Sequence, residues 1–211
     1  MKKTTITLVI IALLTSIPMF GATSKVSVGG FYTFETIDSI SIGNLSSSVD
    51  IKGTSLGAYV KGTSYFSSSS SIGMSYMARF GKATSMKIDG TAQDVSDEPS
   101  GWDASIGVAF QQPINRDAFF EGVAGIMLAL SSDTDNSTTP ATTLITTLYS
   151  FTFMAELNYA LSQTTFFNVG IQGILPLTGS VEMSSGGFSL AQDYSVDGFT
   201  LSPYVGVSMA F

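Results

Sequence analysis

Any chemistry in this chain has to proceed without histidine or cysteine, because its 211 residues contain neither. The commonest general base, thiolate nucleophiles, disulfides and a cysteine-borne lipid anchor are therefore excluded. Carboxylates remain. Glu121 and Glu156 fall on the inward parity of two strands expected to be neighbours. Such a pair could form a catalytic dyad with shifted pKa values. Lys61, Arg79 and Asp103 share that parity, which favours a structural ion network, since networks also perturb pKa without catalysis. No catalytic or cofactor site is expected: there is no glycine-rich phosphate loop and no His/Cys metal cluster. Asp94, Asp97 and Glu98 could offer a weak Ca²⁺ site, but nothing fixes a ligand geometry and a solvated loop is the preferred reading. Asn44 and Asn136 begin glycosylation-type triplets that are read as chance. The expectation is a protein that is not an enzyme.

These charges need elements to hold them. Period-two alternation marks eight stretches: Lys25 to Phe34, Ser55 to Tyr65, Ser71 to Lys87, Gly101 to Gln111, Ala118 to Ser131, Thr147 to Leu161, Thr165 to Leu177, and Phe199 to Phe211. The connectors alternate in length. Glu35 to Thr54, Ile88 to Ser100, Ser132 to Thr146 and Thr178 to Gly198 are long and polar. Phe66 to Ser70, Gln112 to Asp117 and Ser162 to Thr164 are short. That rhythm is the pattern of an up-and-down antiparallel barrel in an outer membrane, with short turns on the periplasmic side and long loops outside.

Composition points the same way. Charged residues make up 12% of the chain, against about 25% in a soluble domain. No segment after the N-terminus is apolar enough for a membrane helix. A barrel that shows lipid only at every second residue reconciles the two. The start reads as a secretory signal: Lys2 and Lys3, an apolar run from Ile6 to Leu14, then Gly21, Ala22 and Ser24. Residues 1–24 are therefore expected to be a signal peptide and 25–211 the barrel. Loss of the two lysines would take the net charge from −7 to −9. So acidic a chain is a poor nucleic-acid binder. The expected outer loops carry Glu35, Asp38, Asp50, Asp89, Asp94, Asp97, Glu98, Asp133, Asp135, Glu182, Asp193 and Asp197, opposed by Lys52 and Lys87.

The faces separate a membrane barrel from a soluble one. Trp102, Ala104, Ile106, Val108 and Phe110 form one face of the fourth stretch; Asp103, Ser105, Gly107, Ala109 and Gln111 form the other. The polar face is small and nearly uncharged, which suits a crowded lumen rather than a wet surface. Aromatics on the apolar parity sort by height. Phe110, Phe120, Tyr159, Phe167 and Phe211 lie near short turns or the C-terminus, and Phe34, Trp102, Tyr149 and Phe199 near long loops. These are two candidate interfacial girdles. Eight steps from Trp102 to Phe110 span roughly 27 Å along the strand, or about 21 Å when tilted, against an apolar band of ~25 Å. The other parity carries Phe31, Tyr59, Met77, Phe119, Met127, Phe166, Ile174 and Tyr204. An eight-stranded lumen is just wide enough for such side chains to fill.

The last residues, Tyr204 to Phe211, place Val205, Val207, Met209 and the terminal Phe211 at every second position. This resembles the C-terminal signal of outer-membrane barrels, although Pro203 stands where such barrels often have an aromatic. The whole of 25–211 resembles the small eight-stranded outer-membrane barrels of the OmpX, OmpW and OmpA-barrel type. The resemblance implies a location in the outer-membrane lipid, chaperone escort through the periplasm and insertion by the barrel-assembly machinery. A monomer is expected. Function is expected to be a surface-exposed structural or interaction role carried by acidic loops. The alternative is a narrow porin-like channel for small or hydrophobic solutes, with a barrel enzyme less favoured.

Overall fold

A computed structural model describes residues 23–43, 45–67, 69–96, 101–135 and 140–211. The expected signal segment, except its last two residues, and the acidic positions Asp97 and Glu98 lie outside them.

Nine antiparallel strands follow one another with no helix among the described residues: β1 (Thr23–Ile42), β2 (Leu45–Tyr65), β3 (Ile72–Ile88), β4 (Thr91–Gln93), β5 (Gly101–Pro113), β6 (Ala118–Asp135), β7 (Thr142–Ala160), β8 (Thr165–Ser185) and β9 (Phe188–Ala210). Eight of them close a ring. β1 pairs with both β2 and β9, and β2 pairs with β3, so no edge is left. Closure matters because hydrocarbon offers no partner for an unpaired backbone group. β4 lies outside the ring and, among the described residues, pairs with β3 alone.

The strands run higher than their alternation indicates, which corrects three expected loops. Most of Glu35 to Thr54 is the top of β1 and β2, joined in register down to Ile42↔Leu45. Thr178 to Gly198 is likewise the top of β8 and β9, and Ser132 to Thr146 supplies the ends of β6 and β7. The physical reason is the solvent. Above the membrane both faces of a strand are wet, so polar residues occupy both parities while the backbone ladder continues. Two hairpin turns lie at Asp89-Gly90 (φ 49° and 81°) and Gly186-Gly187 (φ 58° and 86°). Two successive residues at positive φ make the tight turn whose twist matches the flanking strands. From Phe199 to Phe188 is eleven residues of β9, about 36 Å of strand and about 28 Å of height at a 40° tilt. The β8–β9 hairpin thus stands well clear of the upper aromatics.

Register irregularities fall between Ile37 and Ser39, Thr54 and Ser55, Tyr149 and Ser150, and Ile174 and Thr178. They cluster where the ring gives way to the projecting hairpins, as bulges do at barrel rims.

Candidate functional site

The lumen is built in two storeys. The lower one starts from an awkward pairing. Glu121 and Glu156 sit directly opposite each other on β6 and β7, and like charges so placed repel. Two lysines reach across from β1 and β2 to hold them. Lys61 Nζ lies 2.6 Å from a Glu121 oxygen and 2.7 Å from a Glu156 oxygen. Lys25 Nζ lies 3.0 Å and 2.8 Å from the remaining two. Each cation touches both anions, so the four charges form a neutral square. Thr63 and Tyr65 donate to Glu121 at 3.1 and 2.6 Å, Asn168 donates to Glu156 at 3.3 Å, and Asn158 accepts from Lys25 at 2.8 Å. All four charged side chains are buried.

Desolvating four ions is costly unless the pairing is close and further hydrogen bonds are made; here each carboxylate oxygen meets a lysine, and Thr63, Tyr65 and Asn168 add donors. Replacing Tyr65 by Phe removes one donor from a buried carboxylate. The expected loss is about 1–3 kcal/mol, to be read from urea unfolding of the barrel in lipid vesicles.

Arg79 and Asp103 form a separate pair higher up, directly opposite each other on β3 and β5. Arg79 Nε donates to both Asp103 oxygens at 2.9 and 3.0 Å, and Nη2 donates at 2.8 Å. Nη1 donates to Ser202 at 2.9 Å, and the guanidinium lies 4.8 Å from the Phe31 ring centre. A layer of buried Phe31, Tyr59, Met77, Met154 and Tyr204 connects the two groups. Tyr59 and Tyr204 meet edge to face at 5.2 Å, and Lys61 lies 5.9 Å from the Tyr204 ring. The Tyr204 ring fits because residue 170 is glycine: a Cβ there would lie 2.5 Å from it.

The five residues Lys61, Arg79, Asp103, Glu121 and Glu156 are thus divided into a square and a pair rather than one network. Lys25 completes the square. It lies near the start of β1 on the inward parity with Ser27 and Phe31, and that parity was the signal that could have found it. Glu35 is the expected loop acid whose placement bears on the lumen. It is no loop residue: it lies within β1, on the wall of the upper storey.

Above Arg79 the lumen opens into a cavity of about 760 Å³. Phe31, Ile37, Met127, Leu148, Ile174 and Val196 give it mainly apolar walls. Trp102 and Leu130, partners across β5 and β6, also line it although their parity faces outward. They do so because β5 ends its pairing with β6 there while β6 continues upward.

Outside the ring the exposure is inverted. Ile126 is 59% exposed and Val108 60%. Ile106 and Phe151 flank Ile126 in register and are exposed with it. A contiguous apolar surface of this size does not face water on a monomer. Of the girdle aromatics, Phe34, Tyr149 and Phe199 above, and Phe110, Phe120, Tyr159 and Phe167 below, are exposed on this surface, while Trp102 is half-buried at the cavity rim. Val205, Val207, Met209 and Phe211 are exposed on the same face.

No protein-family model matches the sequence, and no curated protein matches it. Solved structures do. The outer membrane protein OprG from Pseudomonas aeruginosa superposes with a TM-score of 0.55 at 11% identity, covering 92% of this chain and 99% of its own. Neisserial surface protein A superposes with a TM-score of 0.54 at 10% identity, covering 89% of this chain and 97% of its own. That shared fold and the lipid-facing band decide the class. The chain has the closed eight-stranded barrel fold of these two outer-membrane proteins, with an apolar outer band suited to lipid. At such identities the barrel shares architecture with these proteins, and the contents of its lumen are its own.

Proposed function

We propose that this barrel is a surface-facing protein that does not conduct and that receives small apolar molecules from outside into its upper cavity. One observation carries the reading: the lumen is sealed by the Lys25–Lys61–Glu121–Glu156 square and open above Arg79. Small-molecule sites are typically apolar cavities of about 300–1,000 Å³ with a few placed polar groups, and this one falls in that range. The projecting strands β8 and β9, with Phe188 and Leu190 exposed near their tip, support a surface-interaction role beside it. Glu121 and Glu156 are saturated by lysines and closed to solvent, which supports a structural and not a catalytic part for them. The alternating Val205, Val207, Met209 and Phe211 support recognition by the barrel-assembly machinery.

Two measurements test this. In a planar bilayer the barrel is expected to stay electrically silent. Titration with a small neutral aromatic is expected to change the emission of Trp102, the chain's single tryptophan, which lines the cavity. Steady ion conductance with no response at Trp102 would reject the reading. A narrow channel for small or hydrophobic solutes is the second reading. It is favoured by Trp102 and Leu130, where the cavity reaches the rim of the wall and a solute could leave sideways. Uptake of an apolar solute into liposomes without ion conductance would select it.

A further inference from the structure

The walls of the upper cavity carry one negative charge too many. Arg79 is committed to Asp103 through Nε and Nη2, so that pair is neutral. Glu35 is the remaining charged residue of the lining, and among the described residues no hydrogen bond or ion pair reaches its carboxylate. Its cross-strand neighbours explain why: Gly53 on β2 has no side chain, and Thr200 on β9 offers a hydroxyl but no cation. The Ser150 Oγ, on a side chain 1% exposed, also lines the cavity and has no hydrogen-bond partner. The Tyr194 hydroxyl is already used, donating to the Thr147 carbonyl at 3.2 Å. The cavity therefore holds a half-buried carboxylate that no protein group answers, set among mainly apolar walls. Above it Asp38, Asp193 and Asp197 lie on the projecting strands β1 and β9, a field that draws cations toward the mouth, while Asp50 on β2 is paired with Lys52 at 2.9 Å.

We propose that the ligand of this cavity is an organic cation: an apolar body carrying one ammonium group that docks on Glu35. This rests on the reading that the cavity takes small apolar molecules, and narrows it to a chemical class. The apolar walls would take the body of such a molecule, and Glu35 would accept the charge-assisted hydrogen bond from its head. An anion of the same shape would meet the Glu35 carboxylate and be rejected.

The test uses the mature barrel in lipid nanodiscs, with Trp102 emission as readout. Three probes of one shape are titrated: 3-phenylpropylammonium, 3-phenylpropanol and 3-phenylpropanoate. The ammonium is expected to bind about tenfold more tightly than the alcohol, and the carboxylate more weakly than either. In E35Q the ammonium and the alcohol should bind within about twofold of each other. E35A serves as a second variant, and altered gel mobility without heating checks that each variant is folded. Equal binding of ammonium and alcohol to the unaltered barrel overturns the proposal while leaving the apolar cavity standing. So does an ammonium preference that survives in both variants. Failure of all three probes overturns the cavity reading and this proposal together.

Discussion

Lys61→Met is expected to cost the barrel about 3–5 kcal/mol, the effect of leaving a buried charge without its partner. Lys61 touches both glutamates at 2.6 and 2.7 Å, so its loss leaves Lys25 alone against two carboxylates that face each other across β6 and β7. The measurement is urea unfolding in lipid vesicles, followed by gel mobility. A second substitution makes the result specific. Adding Glu121→Gln to Lys61→Met leaves Lys25 with Glu156, again neutral, and at least half of the lost stability should return. A methionine variant within about 1 kcal/mol of the parent would mean that the square contributes little beyond filling space.

The second prediction compares two residues of nearly equal exposure in different surroundings. Ile126 is 59% exposed and Leu190 64%. Ile126 lies mid-strand in the apolar band, paired with Ile106 and Phe151. Leu190 stands near the tip of the β8–β9 hairpin. Ile126→Arg should cost about 2–4 kcal/mol, the penalty for arginine at the bilayer midplane, and Leu190→Arg about 0–1 kcal/mol. The same vesicle unfolding experiment reads both. A barrel bathed in water would treat the two alike, so equal costs would contradict the assignment of the outer face to lipid.

The ring was legible in the sequence for a definite reason. Within the membrane one parity meets hydrocarbon and the other a packed lumen, so Trp102 to Phe110 alternates cleanly with Asp103 to Gln111. The tops of the strands were not legible by that criterion, because above the membrane the contrast between faces disappears. Asp89-Gly90 and Gly186-Gly187 were nonetheless readable as tight hairpin turns. Either would have shown that the polar segments around them pair as strands. The lower square was half legible. Parity turned Lys61, Glu121 and Glu156 inward, but which cation meets which anion depends on strand stagger, which no single strand displays. The cavity was the least legible. Its existence depends on the sizes of side chains drawn from all eight strands of the ring, and on a rim whose height is set by where β5 ends.

The square also acts as a gauge of circumference. Its corners are contributed by Lys25 on β1, Lys61 on β2, Glu121 on β6 and Glu156 on β7, and they meet within 3.0 Å across the width of the ring. One more hairpin would widen the cylinder beyond the reach of a lysine, and one fewer would crowd four charged groups into too small a disc. A barrel with one hairpin more or fewer could therefore not keep these four contacts together. The number of staves and the identity of the four corners are tied to one another by geometry.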